Sequence, residues 1–272
     1  MSLNLLNRGD APFDQQFWNT LDDTIKSVAQ AQLSVRKLLY TEGPCGLGMQ
    51  FIPGNEKLVE ALEGGPDISL PQGVPLVQLS SSFSIAARDI EAFQKAGLKI
   101  NLENLINSLL KITTQEDKLL LYGINTSGLY GLINHPEVLR MKLNPWDQVG
   151  DAVESILKAV DILDKEGFHG PYSLALSTNL YNKLFRRYPN TEIIEMDHLK
   201  TLVTEGIIKS AAIESGGVLV ASAQEYASIV LGQDLVAGFE GPSGRDYVFT
   251  LSETVALRIV VAKSICVLEG KK

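Results

Sequence analysis

Residues 123–131 read GINTSGLYG, three glycines in nine residues at the end of a helical stretch. Two kinds of protein part company at this loop. A phosphate-binding loop needs GxxxxG followed by Lys-Ser or Lys-Thr, because the lysine reaches the phosphates and the hydroxyl holds magnesium. Gly123 to Gly128 has that glycine spacing, but Leu129 and Tyr130 follow. The loop also succeeds a helix and not a buried strand. Gly123 therefore reads as the residue that ends a helix, and Gly128 and Gly131 as turn positions with positive φ. No nucleotide site is expected.

Upstream of the loop the pattern is regular. Asn101 can cap a long helix whose apolar stripe is Leu102, Leu105, Ile106, Leu109, Ile112 and Leu119. A short helix over 86–96, ending at Gly97, precedes it. Before that, 76–85 alternates: Val77, Leu79, Ser81, Phe83 and Ile85 face one way, and Gln78, Ser80, Ser82 and Ser84 the other. Residues 41–75 hold seven glycines and five prolines. Such punctuation forbids a long helix and predicts an extended arm or hairpin, reaching onto a neighbouring subunit. An amphipathic helix over 13–36 opens the chain, with Phe17, Leu21, Ile25, Val28 and Val35 on one face.

Downstream, Asn144-Pro145 predicts a helix start running to Gly167. A strand over 171–177, helices over 178–187 and 194–204, and short strands near 207–210, 217–221 and 227–232 follow. A long alternating segment covers 246–262. Helices and largely antiparallel strands segregate along the chain, which is an α+β pattern.

The chain has 272 residues, 45% hydrophobic and 21% charged, so a large packed core is expected. A net charge of −8 argues against a general nucleic-acid binder, which needs a basic surface to displace counterions. No apolar run approaches the roughly 20 residues that span a bilayer. The N-terminus, MSLNLLNRGDAPFDQQFW, lacks the basic, apolar and small-residue succession of a secretory leader. Cys45 and Cys266 cannot form a disulfide framework, and the cytoplasm is the expected compartment.

Catalytic patterns are weak. His135, His169 and His198 stand apart, without HExxH or a CxxC companion. Ser-x-x-Lys occurs at Ser34, Ser108 and Ser155, each on a predicted helix and without Lys-Thr-Gly. The pairs Asp22-Asp23 and Glu116-Asp117 fall on polar helix faces. No metal or catalytic constellation emerges, and no enzyme is expected.

A set of blocks runs in order along the chain: RGDAPF at 8–13, RKL at 36–38, EGP at 42–44, PLVQL at 75–79 and FSI at 83–85. SGLYGL at 127–132, GPYSL at 170–174, IVLGQDL at 229–235 and ET at 253–254 complete it. In this the sequence resembles the encapsulins, shell proteins of bacterial and archaeal nanocompartments built on the HK97-type fold of tailed-phage major capsid proteins. The resemblance implies an HK97-like α+β chain with a peripheral domain, an axial domain and an extended loop. Residues 1–40 would be the N-terminal helix on the inner surface, 41–75 the extended loop, and 76–144 the peripheral domain with its spine helix at 98–122. Residues 145–235 would form the axial domain, and 236–272 the return strands.

It also implies sites. The tip loop near Arg186, with Arg187, Tyr188, Pro189, Asn190 and Thr191, would surround a five-fold pore. The helix face with Ile25, Val28, Ala29, Leu33 and Arg36 would dock a C-terminal targeting peptide of a cargo protein, an apolar groove for aliphatic side chains with an arginine for polar backbone. Some family members stack flavin on an aromatic residue just after the strand at 76–85. Arg88 stands there in this sequence, with Phe93 a turn and a half further on, so no flavin or other cofactor is expected. The implied function is self-assembly of identical subunits into an icosahedral shell. The shell would enclose a ferritin-like iron oxidase or dye-decolorising peroxidase, serving iron storage or oxidative-stress defence, without nucleic acid or membrane. A phage major capsid protein of the same fold, and a bacteriocin- or protease-like hydrolase, are the alternatives.

Overall fold

The computed structural model describes residues 6–60 and 68–270. In chain order the elements are α1 (Gln15–Gln32), β1 (Tyr40–Glu42), β2 (Phe51–Glu60), β3 (Ile68–Pro75), β4 (Val77–Ala86), α2 (Ala87–Ala96) and α3 (Glu103–Tyr122). There follow β5 (Leu139–Lys142), α4 (Asp151–Lys165), β6 (Tyr172–Ser177), α5 (Thr178–Lys183) and α6 (Glu195–Leu202). The chain continues through β7 (Gly206–Ser210), β8 (Gly217–Ala221), β9 (Ala227–Leu231), β10 (Val236–Ser243), β11 (Asp246–Ile259) and β12 (Ile265–Glu269). They fall into two compact units. The first is Met1–Leu33, Gly43–Glu116 and Val230–Ala256; the second is Ser34–Glu42, Asp117–Ile229 and Leu257–Lys272.

In the first unit, β11 runs antiparallel to β10 on one side and to β4 on the other. Phe249 lies directly opposite Phe239 and Phe83, and the Phe83 and Phe249 rings stack at 5.2 Å. The alternation read in 76–85 is what aims Phe83 and Ile85 into this core. Helix α1 adds Phe17, Leu21 and Ile25, and α3 adds Leu105, Leu109 and Ile112 at helical spacing. Each such aromatic or aliphatic side chain contributes about 1.5–3 kcal/mol on burial. Arg8 ties the start of the chain to the sheet. Its Nε donates to the Ala237 carbonyl at 2.8 Å, its two terminal nitrogens clasp Asp22, and it lies 4.5 Å over the Trp18 ring.

The 41–75 segment contains an antiparallel pair, β2 and β3, running from Phe51 opposite Pro75 to Glu60 opposite Ile68 with register shifts after Pro53 and after Leu58. Among the described residues these two strands form a sheet of their own. The part of the expected arm at 61–67 lies outside the described residues.

The second unit is built on a mixed sheet in the order β5-β12-β8-β6-β7. Strands β6 and β8 are buried along their whole length, and Leu174, Leu176, Leu219, Ile156, Leu163 and Trp146 pack in one core with α4 and α6. The pairs β6–β7 and β12–β5 are parallel, but β2–β3, β4–β11, β10–β11, β6–β8 and β8–β12 are antiparallel, so the strands are largely antiparallel as expected. Parallel neighbours need a crossover, and residues 178–205 with α5 and α6 supply the one from β6 to β7. Strands β5, β10 and β12 are not legible as separate strands in the sequence. Four residues of β5 and five of β12 are too few to establish a period, and the glycines and proline of β10 break its alternation.

Three expectations are corrected in detail. Helix α1 stops at Gln32, because the buried Asp117 carboxylate takes the backbone that would continue it: it accepts from Ser34 N at 2.9 Å, Val35 N at 3.0 Å and Ser34 Oγ at 2.6 Å. Helix α4 starts at Asp151 and not at Asn144-Pro145. Gly150 before it has φ 105, and residues 146–150 are held by tertiary hydrogen bonds instead of a helical ladder. In the glycine-rich turn, Gly123 and Gly128 have φ 63 and 67, as read, but Gly131 does not share the left-handed conformation. A Cβ at Gly131 would collide with the Leu121 carbonyl carbon and Tyr122 amide, so close backbone approach demands glycine there. The turn's amides are engaged internally: Ile124 N donates to Leu129 O at 2.8 Å, and Gly131 N to Asn134 Oδ1 at 2.7 Å. None of these is left to hold a phosphate.

Asp117→Ala strips the Ser34 and Val35 amides of their acceptor inside the second unit. It should cost about 2–4 kcal/mol, read as a lower urea midpoint. A shift no larger than that of an exposed-charge substitution would refute the role given to this carboxylate. Burial also pushes the Cys266 thiol from 9.0 up to about 12. The folded chain then keeps a proton that the unfolded chain releases, so stability is full below pH 9 and falls as pH rises towards about 12. Cys266→Ala should flatten this alkaline decline, although Tyr172, also raised, adds to it. Superimposable pH profiles would count against it.

Candidate functional site

The loop between α5 and α6 lies wholly within the second unit. Tyr188 N donates to Ile193 O at 3.0 Å, Thr191 N donates to Tyr188 O at 3.2 Å, and Arg187 bridges to Ile194. Asn190 takes the left-handed conformation, φ 60, that closes so tight a turn. Arg187, Pro189, Asn190 and Thr191 are exposed; Tyr188 is half-buried, its ring 5.0 Å from His198 of α6. The structure therefore brings all five expected tip residues into one small hairpin. Glu192, which sequence reasoning did not single out, completes it by pairing with Arg187 at 3.0 Å.

Beneath the tip sits a second, different ion pair. The Glu195 side chain is fully buried, and Oε2 accepts from Arg186 Nη2 at 2.8 Å and Nε at 3.1 Å. Its Oε1 accepts from Gly150 N at 2.6 Å. Arg186 also donates to the carbonyls of Trp146, Gln148 and Lys183, at 2.9, 2.9 and 3.1 Å. One carboxylate and one guanidinium thus join the end of α5, the first turn of α6 and the 146–150 segment. A carboxylate in a helix's first turn also meets the positive end of its dipole. The sequence signal was the Arg186-Arg187 pair, but it cannot say which arginine turns inward.

The other expected site divides. Ile25, Ala29 and Leu33 are buried, Val28 is half-buried, and all four belong to the first unit, where Ile25 and Val28 pack with the aromatic core. Arg36, half-buried in the Val35–Lys37 turn, belongs to the second unit. Lys26, Ser27 and Gln30 form the exposed side of α1. Arg88 is exposed at the start of α2, while Phe93 packs on the first unit's core, 6.5 Å from Phe17.

Residues weighed for catalysis have structural partners. Ser34 Oγ donates to Asp117, Ser108 Oγ to the Ser82 carbonyl at 3.1 Å, and Ser155 Oγ to the Asp151 carbonyl at 2.8 Å. His135 accepts at Nδ1 from Glu137 N at 3.2 Å, with burial lowering its pKa. His169 pairs with Asp164 at 3.2 Å. Among the described residues no helix is long and apolar enough to cross a membrane.

This architecture can be set beside known proteins. The family described as an encapsulating protein for peroxidase matches residues 3–256. The chain belongs to the encapsulin shell-protein family. EncA, a type 1 encapsulin shell protein of Myxococcus xanthus, is 28% identical over 279 residues, covering 98% of this chain and 97% of EncA. A virus-like particle from Pyrococcus furiosus shares the fold with a TM-score of 0.72 at 20% identity, covering 93% of this chain and 100% of that one. The capsid of Myoviridae phage XM1 follows at a TM-score of 0.58 and 11% identity, covering 87% and 91%. The encapsulin chain thus has the HK97-like capsid fold, mixed helix and strand.

Removing Glu195 takes the carboxylate from the half-buried Arg186 guanidinium and from the Gly150 amide, so Glu195→Ala should destabilise by about 2–4 kcal/mol. Glu192→Ala, on the exposed pair, should change stability by about 1 kcal/mol or less. Urea midpoints of the two variants compare them directly, and equal shifts would sink the distinction between anchor and tip.

Proposed function

We propose that copies of this chain close into an icosahedral container around a cargo enzyme, and that the chain itself catalyses nothing. The observation that carries this is the match to an encapsulating family over almost the entire chain. The cargo class the family implies is a dye-decolorising peroxidase or a ferritin-like iron oxidase, held in a cytoplasmic compartment. Oxidative or iron chemistry would belong to that cargo.

Features of the subunit support assembly. The β2–β3 pair exposes Phe51 at 60% and Leu70 at 56%. Two-stranded sheets are marginal alone, and exposed apolar side chains on open strand edges call for a partner. Pairing of this arm with a neighbouring subunit answers both. In this assignment residues 41–75 are the extended loop, 76–144 the peripheral domain, 236–272 its return strands and 145–235 the axial domain, with Arg187, Tyr188, Pro189, Asn190 and Thr191 around a five-fold pore. Cargo docks by a C-terminal segment on the α1 face. Within the first unit Val28 is the reachable member of that face, and the buried Ile25, Ala29 and Leu33 hold the helix in place.

Negative-stain microscopy of the chain purified from its native host, with mass spectrometry of co-purifying proteins, tests this. Uniform closed shells with one peroxidase or ferritin-like protein are expected, and deleting that protein's C-terminal segment should empty them. A discrete monomer or dimer would overturn the container.

A further inference from the structure

The tip and base of the 186–195 loop hold their charges differently. Arg186 and Glu195 neutralise each other inside the fold, where their hydrogen bonds fix the loop from below. Arg187 and Glu192 neutralise each other in solvent, their side chains 66% and 88% exposed. An ion pair this open is worth about 0–1 kcal/mol and is not what keeps the hairpin folded. The backbone bonds of Tyr188, Thr191 and Ile193 and the anchor beneath already do that. The pair's consequence is electrostatic: between Arg187 and Glu192 the tip presents only Tyr188, Pro189, Asn190 and Thr191, so it carries no net charge.

We infer that Arg187 and Glu192 together set the charge selectivity of the opening that these tips surround, making it a fixed, neutral collar open to small cations and anions alike. The inference rests on the proposed placement of this loop around a symmetry axis. Symmetry repeats whatever charge one tip bears in every subunit of the ring. Rings of like charge control which ions enter a pore, and a charged constriction changes local ion concentration by about ten-fold or more at low salt. Balance within each tip removes that filter. It suits a container whose contents need both metal cations and uncharged or anionic oxidants.

The paired design makes the idea testable without disturbing the anchor. Glu192→Gln leaves each tip with a net positive charge, and Arg187→Gln with a net negative one. Shells of each type, reassembled around a trapped fluorophore, would be mixed at low salt with caesium or iodide as quencher. The unaltered shell should admit both at rates within about two-fold. Glu192→Gln should shift the ratio at least several-fold towards iodide, and Arg187→Gln as far towards caesium, because the sign of the ring reverses. Closed shells whose ratio moves with neither variant, or an unaltered shell already strongly selective, would overturn the collar while leaving the container standing. Failure of the unaltered chain to form closed shells would remove both readings. If one variant does not assemble, the other still decides by the direction of its shift.

Discussion

One buried carboxylate holds the place where the chain enters its second unit. The backbone passes from the first unit into the second at 33/34 and again at 116/117. Asp117, the first residue after one passage, accepts hydrogen bonds from Ser34 and Val35, the first residues after the other. Ser34 Oγ in turn lies 2.7 Å from Ser210 Oγ at the end of β7. A carboxylate taken from water costs several kcal/mol unless it is fully bonded, so this geometry is demanding. Satisfied by two amides and a hydroxyl, it ends α1, sets the following turn, and is linked through Ser34 to the end of β7.

A similar device serves the functional loop. Glu195 and Arg186 lock the base, and every donor of the guanidinium that the structure places is directed at a carbonyl or at Glu195. Substitutions at the tip are thereby uncoupled from folding.

Much of the fold was legible because periodicity and punctuation are local. The alternation at 76–85, the apolar stripes of α1 and α3, the Asn101 cap and the Gly97 and Gly123 stops all follow from chemistry within a few residues. The assignment of Arg187 to Thr191 to a pore rests on the family's ordered blocks alone, since nothing in these residues by themselves distinguishes a pore loop from any polar turn. The pairing of Glu192 with Arg187 was not legible either, because it depends on where the arginine side chain points. For Ile25, Ala29 and Leu33, sequence spacing identified an apolar face but not what covers it, and in the subunit that face is inward.

The sequence by itself therefore determined the apolar stripes of α1 and α3, the alternating strand at 76–85, the glycine stops at Gly97 and Gly123, and membership of a capsid-like shell family. Tertiary structure alone decided the parallel pairings of β6 with β7 and of β5 with β12, the late start of α4, and the reason Gly131 must be glycine. It also decided which of two adjacent arginines turns inward. Several of these turn on a partner outside the residue's own element: the Leu121–Tyr122 backbone for Gly131, Glu195 for Arg186, and Glu195 again for the amide of Gly150. Local pattern reports a residue's own preference, whereas close approach and buried charge are properties of pairs that only folding brings together.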